Sequence, residues 1–224
     1  MISKLALLVQ PRFAAAAAAL VLTALALPTT ARAGTPLICH PYNIGAAKSL
    51  PGSDGDWKGV NPNYDRRNLV RDTLALLTSD TPVIVRMETM RRAAIYATAG
   101  MRGWDSKSGF NAEDRANTQA ILEALQARMK IATPADRAIA TFDVGFFIET
   151  LRHTGIEKSL NGFDLLLKAR ELRGPDAEME FALALASSWP YRRDEHEQHL
   201  ARARQGAKPG TLLAANLATH FSES

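Results

Sequence analysis

Residues 111–155 read NAEDRANTQAILEALQARMKIATPADRAIATFDVGFFIETLRHTG, and this stretch decides the fold class. It contains two cap signals, Asn111 followed by Asp114 and Thr133 followed by Asp136. A small polar residue with an acidic residue three positions later is typical of a helix N-terminus, because each side chain can accept a hydrogen bond from an unpaired backbone N–H group. After the first cap, apolar residues recur at helical spacing, at Ile121, Leu122, Leu125 and Met129. The stretch therefore predicts two consecutive helices, the second ending at the glycine that closes it.

The same alternation of helical periods and breakers extends from Tyr64 to the end of the chain. The helix before the quoted stretch has Thr81 as its predicted N-cap, followed by Pro82. Besides the two helices of the quoted stretch, the predicted helices cover 64–78, 82–97, 160–173, 176–188, 191–205 and 211–221. No alternating run of apolar and polar residues predicts a strand. Because the connections are short, consecutive helices must lie mostly antiparallel, so residues 64–224 are predicted to form a single all-α domain of stacked antiparallel helical hairpins, either an α-solenoid or an orthogonal bundle.

Residues 34–63 are predicted to be an irregular lead-in to this domain. The lead-in contains four prolines and several glycines, a density of breakers that prevents a long helix or strand. Its apolar residues, among them Leu37 and Ile38, are expected to dock on the helical core.

Residues 1–33 have the layout of a secretory signal peptide. Lys4 and Arg12 precede an apolar run of 15 residues, and Ala31-Arg32-Ala33 matches the pattern of a cleavage site. The run is shorter than the roughly 20 residues that cross a bilayer as a helix. We therefore expect cleavage after Ala33, a mature chain that begins at Gly34 without a membrane span, and export to the periplasm or the medium. The alternative is an uncleaved N-terminal anchor.

The composition is that of an ordinary globular protein. Of the 224 residues, 46% are hydrophobic and 22% are charged, which excludes fully disordered and low-complexity classes. The single cysteine, Cys39, excludes an intramolecular disulfide and a cysteine-based zinc or iron–sulfur site. Three of the 27 basic residues lie in residues 1–33, which leaves 24 basic against 23 acidic residues in the rest of the chain. A balance this close to neutrality does not favour nucleic acid as a partner.

Residues 160–190 carry one partial family resemblance. Ala177, Phe181 and Ala184 have the spacing found in the second helix of a tetratricopeptide unit, and this pair of predicted helices resembles such a unit. The first helix departs from the family pattern, because Asn161 and Asp164 stand where that family has Trp and Leu. The resemblance covers about 30 residues and implies stacked helical hairpins, without implying an activity.

Two clusters contain residues that could bind a metal. Cys39 and His40 are adjacent, and the alternatives for Cys39 are a packed core thiol, a disulfide-linked dimer or a soft-metal ligand. Glu195, His196 and His199 lie close together on a predicted helix, where residues three and four apart share a face. His196 also falls on the apolar stripe of that helix, which is typical of a packed core histidine. The spacing of three between the histidines does not match the His-Glu-x-x-His zinc motif.

Two charged residues interrupt apolar faces. At 100° per residue, Asp143 lies about 40° from Ile139 and from Phe147 on its helix, and Arg91 lies beside Met87. A buried charge needs a partner, so the sequence predicts that Arg91 and Asp143 are paired.

Other assignments for these charges stay open. The two side chains could instead reach the edges of their faces, or Arg91 could pair with Glu149. The cluster of Arg86, Arg91 and Arg92 could also meet an anionic ligand or partner.

The leading functional prediction is a non-catalytic module that binds a protein or peptide, because no nucleotide-binding, hydrolase, kinase or redox motif is present in the sequence and stacked hairpins present grooves. No cofactor is expected. The first alternative is a metal- or thiol-dependent extracytoplasmic protein that uses Cys39 and His40 or His196 and His199. The second is an unrecognised hydrolase, which would need a pocket that joins Asp143, Glu149 and a histidine.

Overall fold

The protein is all-α, as predicted, in a computed structural model that describes residues 37–52, 60–99, 109–156, 159–188 and 192–221. These residues form eight α-helices and one 3-10 turn (Arg66–Asn68), with no strand among them. The helices are α1 (Leu69–Leu76), α2 (Val83–Ala97), α3 (Ala112–Ile131), α4 (Arg137–Thr154), α5 (Gly162–Arg173), α6 (Ala177–Ala186), α7 (Arg193–Gly206) and α8 (Leu212–His220). Within the same ranges, no helix is long and apolar enough to cross a membrane. The predicted signal peptide lies outside the described residues, so its cleavage stays a prediction.

Three helices form the centre of the fold. Almost every residue of α2, α4 and α6 is buried, whereas the other helices bury one face. Helix α4 contacts α2, α3 and α5, and α6 contacts α2, α5, α7 and α8. The sequence explains this division, since α4 and α6 carry apolar residues on all sides, a pattern typical of a helix surrounded by others.

The helix ends follow local cap chemistry for the most part. The predicted capping box of Asn111 and Asp114 is confirmed, with both reciprocal hydrogen bonds present. The N-cap predicted for α2 is wrong by one position, because Pro82 occupies it and the helix begins at Val83. The Thr81 hydroxyl instead donates to the Leu76 carbonyl, which closes the turn before the helix.

Helices α4 and α5 cross at two glycines. A Cβ atom added to Gly145 would lie 2.8 Å from the carbonyl oxygen of Gly162, closer than nonbonded atoms pack. The absence of side chains at both positions lets the N-terminus of α5 rest on the backbone of α4. This close approach places the start of α5 within reach of Glu149.

The described parts of the lead-in, residues 37–52 and 60–63, have no regular structure. Residues 37–52 are held by helix side chains. Glu88 of α2 accepts a hydrogen bond from the Tyr42 N–H, at 2.9 Å, and Arg91 donates to the Ile38 carbonyl, at 3.0 Å. Backbone groups that lack secondary structure need such partners when they are buried. The lead-in therefore covers one face of α2, and that face is interior.

Candidate functional site

Arg86 of α2 and Asp143 of α4 form a buried ion pair. The guanidinium Nη1 donates to Asp143 Oδ2 at 2.7 Å, and the two residues are 1% and 2% exposed. Arg86 also donates through Nε to the Thr81 carbonyl at 2.9 Å and through Nη2 to the Thr78 carbonyl. Burial of a guanidinium is tolerated only where acceptors surround it, and here each of its three nitrogen atoms has one. Arg86 thus connects helix α4 with the loop that precedes α2.

The second carboxylate oxygen of Asp143, Oδ1, is unusual. It is buried, and it has no hydrogen-bond partner among the described residues. Burial raises the pKa of Asp143 to about 6, although the charges of Arg86 and Arg128 oppose that rise. Buried polar atoms in folded proteins nearly always have a partner, so an acceptor without one calls for a specific explanation.

A pocket of about 240 Å³ opens beside this pair, between α2, α3 and α4. Asp143 and Arg86 form its buried floor, and Arg128 and Asp136 lie nearer its mouth. Ile131, at the end of α3, also lines the pocket and is 84% exposed. The pocket thus combines apolar lining with a few polar groups, which is the composition typical of ligand pockets.

The predicted partners Arg91 and Asp143 belong to separate ion pairs. Arg91 donates to both carboxylate oxygens of Glu88, at 2.8 Å and 3.0 Å, on the same helix. Residues 86 and 91 lie about 140° apart around a helix of 100° per residue. Arg86 therefore faces α4, whereas Arg91 faces the lead-in. Both positions are interior, as the apolar stripe of α2 indicated for Arg91, but the sequence pattern did not identify the partner.

The arginine cluster of α2 is engaged inside the protein. Arg92 donates to Glu88 at 2.6 Å and to the Leu50 carbonyl of the lead-in. Arg86 pairs with Asp143 and Arg91 with Glu88. All three guanidinium groups thus have carboxylate partners within the chain, and the structure does not assemble them into one anion-binding surface.

Glu149 has a structural role and contacts groups other than Arg91. Its Oε1 atom accepts hydrogen bonds from the N–H groups of Gly162 and Phe163, at 2.8 Å and 3.0 Å, and so caps the N-terminus of α5. Burial raises the pKa of Glu149, and the neighbouring Arg152 opposes that rise. Among the described residues that line the pocket beside Asp143, there is neither Glu149 nor a histidine. The constellation predicted for a hydrolase is therefore not brought together there.

The histidines of α7 contact different parts of the fold. His199 Nδ1 lies 2.6 Å from Glu180 Oε2 inside the protein, and His196 Nδ1 lies 2.7 Å from the Ala184 carbonyl. The Glu195 carboxylate lies 3.5 Å from Arg192. These contacts direct the three side chains of the candidate metal cluster to separate partners.

The other metal candidates lie in the lead-in. Cys39 is half-buried and packs against the core, and the His40 ring is exposed, with its centroid 5.9 Å from that of His220. Across the ranges that the structure describes, no group of three or more His, Cys, Asp or Glu residues could hold a metal ion. The disulfide-linked dimer through Cys39 stays a prediction.

Three residues that give the pocket its chemistry were not predicted from the sequence: Arg86 as the partner of Asp143, Arg128 and Ile131. A signal for Arg86 is present in the sequence. Val83 and Met90 flank it at helical spacing. The apolar pattern that predicted a buried Arg91 therefore predicts a buried Arg86 as well. Ile131 carries no such signal, because its exposure depends on where α3 ends against its neighbours.

Comparisons of the chain with protein-family models, curated proteins and solved structures give no match. The pocket and its chemistry are therefore the basis for a functional proposal.

Proposed function

We propose that the protein is an exported, non-catalytic module that binds a protein or peptide partner at the pocket between α2, α3 and α4. One observation carries the proposal: the 84% exposed Ile131 stands beside a buried carboxylate whose Oδ1 atom has no partner among the described residues. An apolar anchor next to a desolvated polar group is the arrangement that concentrates binding energy at protein interfaces.

The arrangement of the helices supports a binding role. Every consecutive pair of helices is in contact, most extensively α4 with α5 and α6 with α7, and α2 also contacts α4. We infer a stack of helical hairpins from these contacts. Such a stack leaves the ends of neighbouring helices open to a partner, and the pocket lies at that kind of position.

The pocket chemistry favours binding over catalysis. Its described lining includes the carboxyl groups of Asp143 and Asp136 and the hydroxyls of Ser79 and Thr133, with no histidine or cysteine among them. Nucleophilic catalysis needs a nucleophile within hydrogen-bond reach of a base. The Thr133 hydroxyl donates to the Asp136 carboxylate, at 2.7 Å, but it also accepts the Asp136 N–H, so this pair closes a local turn before α4. The other carboxylate, Asp143, is bonded to Arg86.

Selection from a random peptide display library tests the proposal. Peptides are selected on the processed protein, the chain that begins at Gly34. Their affinities are then measured for this protein and for the variants Ile131→Ser and Leu172→Ser. Leu172 of α5 is a matched control, because it is the other exposed large apolar residue among those described, at 47%, and it does not line this pocket. Loss of an interface anchor costs about tenfold or more in affinity.

The expected result is that Ile131→Ser weakens binding of the selected peptides and Leu172→Ser leaves it unchanged. Equal affinities for all three proteins, or a library that yields no binder, would contradict a binding role for this pocket.

A further inference from the structure

The floor of the pocket offers a single hydrogen-bond acceptor. Asp143 Oδ2 receives the Arg86 guanidinium at 2.7 Å, whereas Oδ1 has no partner among the described residues. The carboxyl torsion of an aspartate is soft, so a small rotation can present Oδ1 to a group in the pocket. A ligand that satisfies this atom must donate a hydrogen bond, and it gains from meeting a negative charge inside the protein.

Arg86 is engaged within the protein, because each of its three nitrogen atoms donates a hydrogen bond to a protein acceptor. The acceptors are Asp143 Oδ2 and the carbonyls of Thr81 and Thr78. The guanidinium is also almost fully buried. An anion that entered the pocket would therefore approach the carboxylate of Asp143 beside a guanidinium whose charge that carboxylate already balances.

The mouth of the pocket is close to neutral. Arg128 is half-buried and donates to the Leu74 carbonyl at 3.2 Å, and the Asp136 carboxylate lies on the same pocket. Between mouth and floor the lining is apolar, formed by Ile131, Ile139 and the neighbouring alanines. Such a wall matches the methylene stem of a long side chain with a charged end.

We propose that the partner inserts a lysine side chain into this pocket, with its ammonium group donating to Asp143 Oδ1 and its stem lying against Ile131 and Ile139. This inference rests on the proposed function and specifies its chemistry. An ammonium is a compact donor that needs one oxygen, whereas a guanidinium pairs best with two oxygens of one carboxylate. Since Arg86 occupies Oδ2, the geometry selects lysine over arginine.

Small probes test the ammonium site directly. The processed protein with labelled methyl groups is titrated with n-butylamine, n-butylguanidine and butyrate, and the shifts of Ile131, Ile139 and Ala140 are followed by NMR. We expect saturable binding of butylammonium, binding of butylguanidinium weaker by about fivefold or more, and no binding of butyrate. Butyrate that binds as tightly as the amine, or methyl groups that respond to none of the probes, would overturn the proposal.

Two variants separate the ammonium contact from general packing. Asp143→Asn keeps one oxygen for Arg86 and replaces the other with a donor, so butylammonium affinity should fall by about tenfold or more. Arg128→Gln removes a positive charge at the half-buried mouth, so affinity should rise by roughly two- to fivefold. Arg128→Gln remains informative if Asp143→Asn fails to fold, and unchanged or weaker amine binding in Arg128→Gln would contradict the site.

The pH dependence of binding has a defined sign. Asp143 faces Arg86 from α2 and Arg128 from α3, with Asp136 on the same pocket, and the pKa of Asp143 is raised to about 6 by burial. The amine keeps its charge throughout the range from about pH 7.5 to about pH 5. Butylammonium affinity should therefore fall as the pH drops through about 6, where Asp143 takes up a proton. A butylammonium affinity that stays constant or rises as the pH falls would overturn the proposal.

The two proposals fail in different ways. If the library yields peptides that depend on Ile131 but show no enrichment of lysine, the ammonium proposal is wrong and the binding function stands. If butylammonium binds at Asp143 but the library yields no peptide, the ammonium site stands and the peptide-binding function is wrong.

Discussion

The Arg86–Asp143 ion pair makes a quantitative prediction about stability. Arg86→Met leaves a buried carboxylate without its charge partner and frees the carbonyls of Thr78 and Thr81. Breaking a buried pair on one side costs about 3–5 kcal/mol. Asp143→Leu should cost less, about 2–3 kcal/mol, because Arg86 keeps both carbonyl acceptors. The double variant replaces the pair with apolar side chains, so the two costs should not add, and the coupling should be about 2 kcal/mol.

Urea unfolding near neutral pH, followed by circular dichroism, measures this cycle. Arg91→Met is the matched control, since Arg91 lies on the same helix and is buried but pairs with Glu88. Arg91→Met should itself be destabilising, yet its effect should add to that of Asp143→Leu within about 0.5 kcal/mol. The Arg86–Asp143 pairing would be refuted by additive effects of the Arg86 and Asp143 substitutions. It would also be refuted if Asp143 were coupled to Arg91 as strongly as to Arg86.

Three further predictions concern the helix crossing, the lead-in and the N-terminus. Gly145→Ala and Gly162→Ala should each cost at least about 2 kcal/mol of unfolding free energy, because an added methyl group meets the backbone of the facing helix. Urea unfolding measures this cost, and a value below about 0.5 kcal/mol would contradict the close crossing. Burial lowers the pKa of His153 to about 4, and its Nδ1 atom accepts the Leu37 N–H at 3.1 Å. At this site the folded state therefore binds fewer protons than the unfolded state, so His153 contributes a fall in unfolding free energy between about pH 6.5 and about pH 4. His153→Asn should lose this contribution, and an equal pH dependence of unfolding free energy in both proteins would exclude this origin. Mass spectrometry of the exported protein should give an N-terminus at Gly34, and a retained initiator methionine in the membrane fraction would favour the uncleaved anchor.

The secondary structure was largely predictable because its signals are local. Asn111 and Thr211 each cap a helix from a position that the sequence had assigned to them, since a cap bonds only to backbone within three residues. The docking of the lead-in was not predictable in the same way. The hydrogen bonds of Asn216 to Asn43 span 173 residues, and no local pattern specifies which backbone group a distant asparagine will meet.

For the charged residues of the core, burial could be predicted from the sequence but the ion-pair partner could not. An apolar stripe around Asp143 indicates that the carboxylate is buried, and burial requires a partner. The stripe gives no information on which partner, because α2 presents an arginine on each of two interior faces. One face meets α4 and the other meets the lead-in. Arg86 therefore pairs with Asp143, and Arg91 pairs with Glu88. The same limit applies to the pocket. Its acceptor exists because Arg86 reaches only one oxygen of Asp143, which is a property of how two helices meet and not of either helix alone.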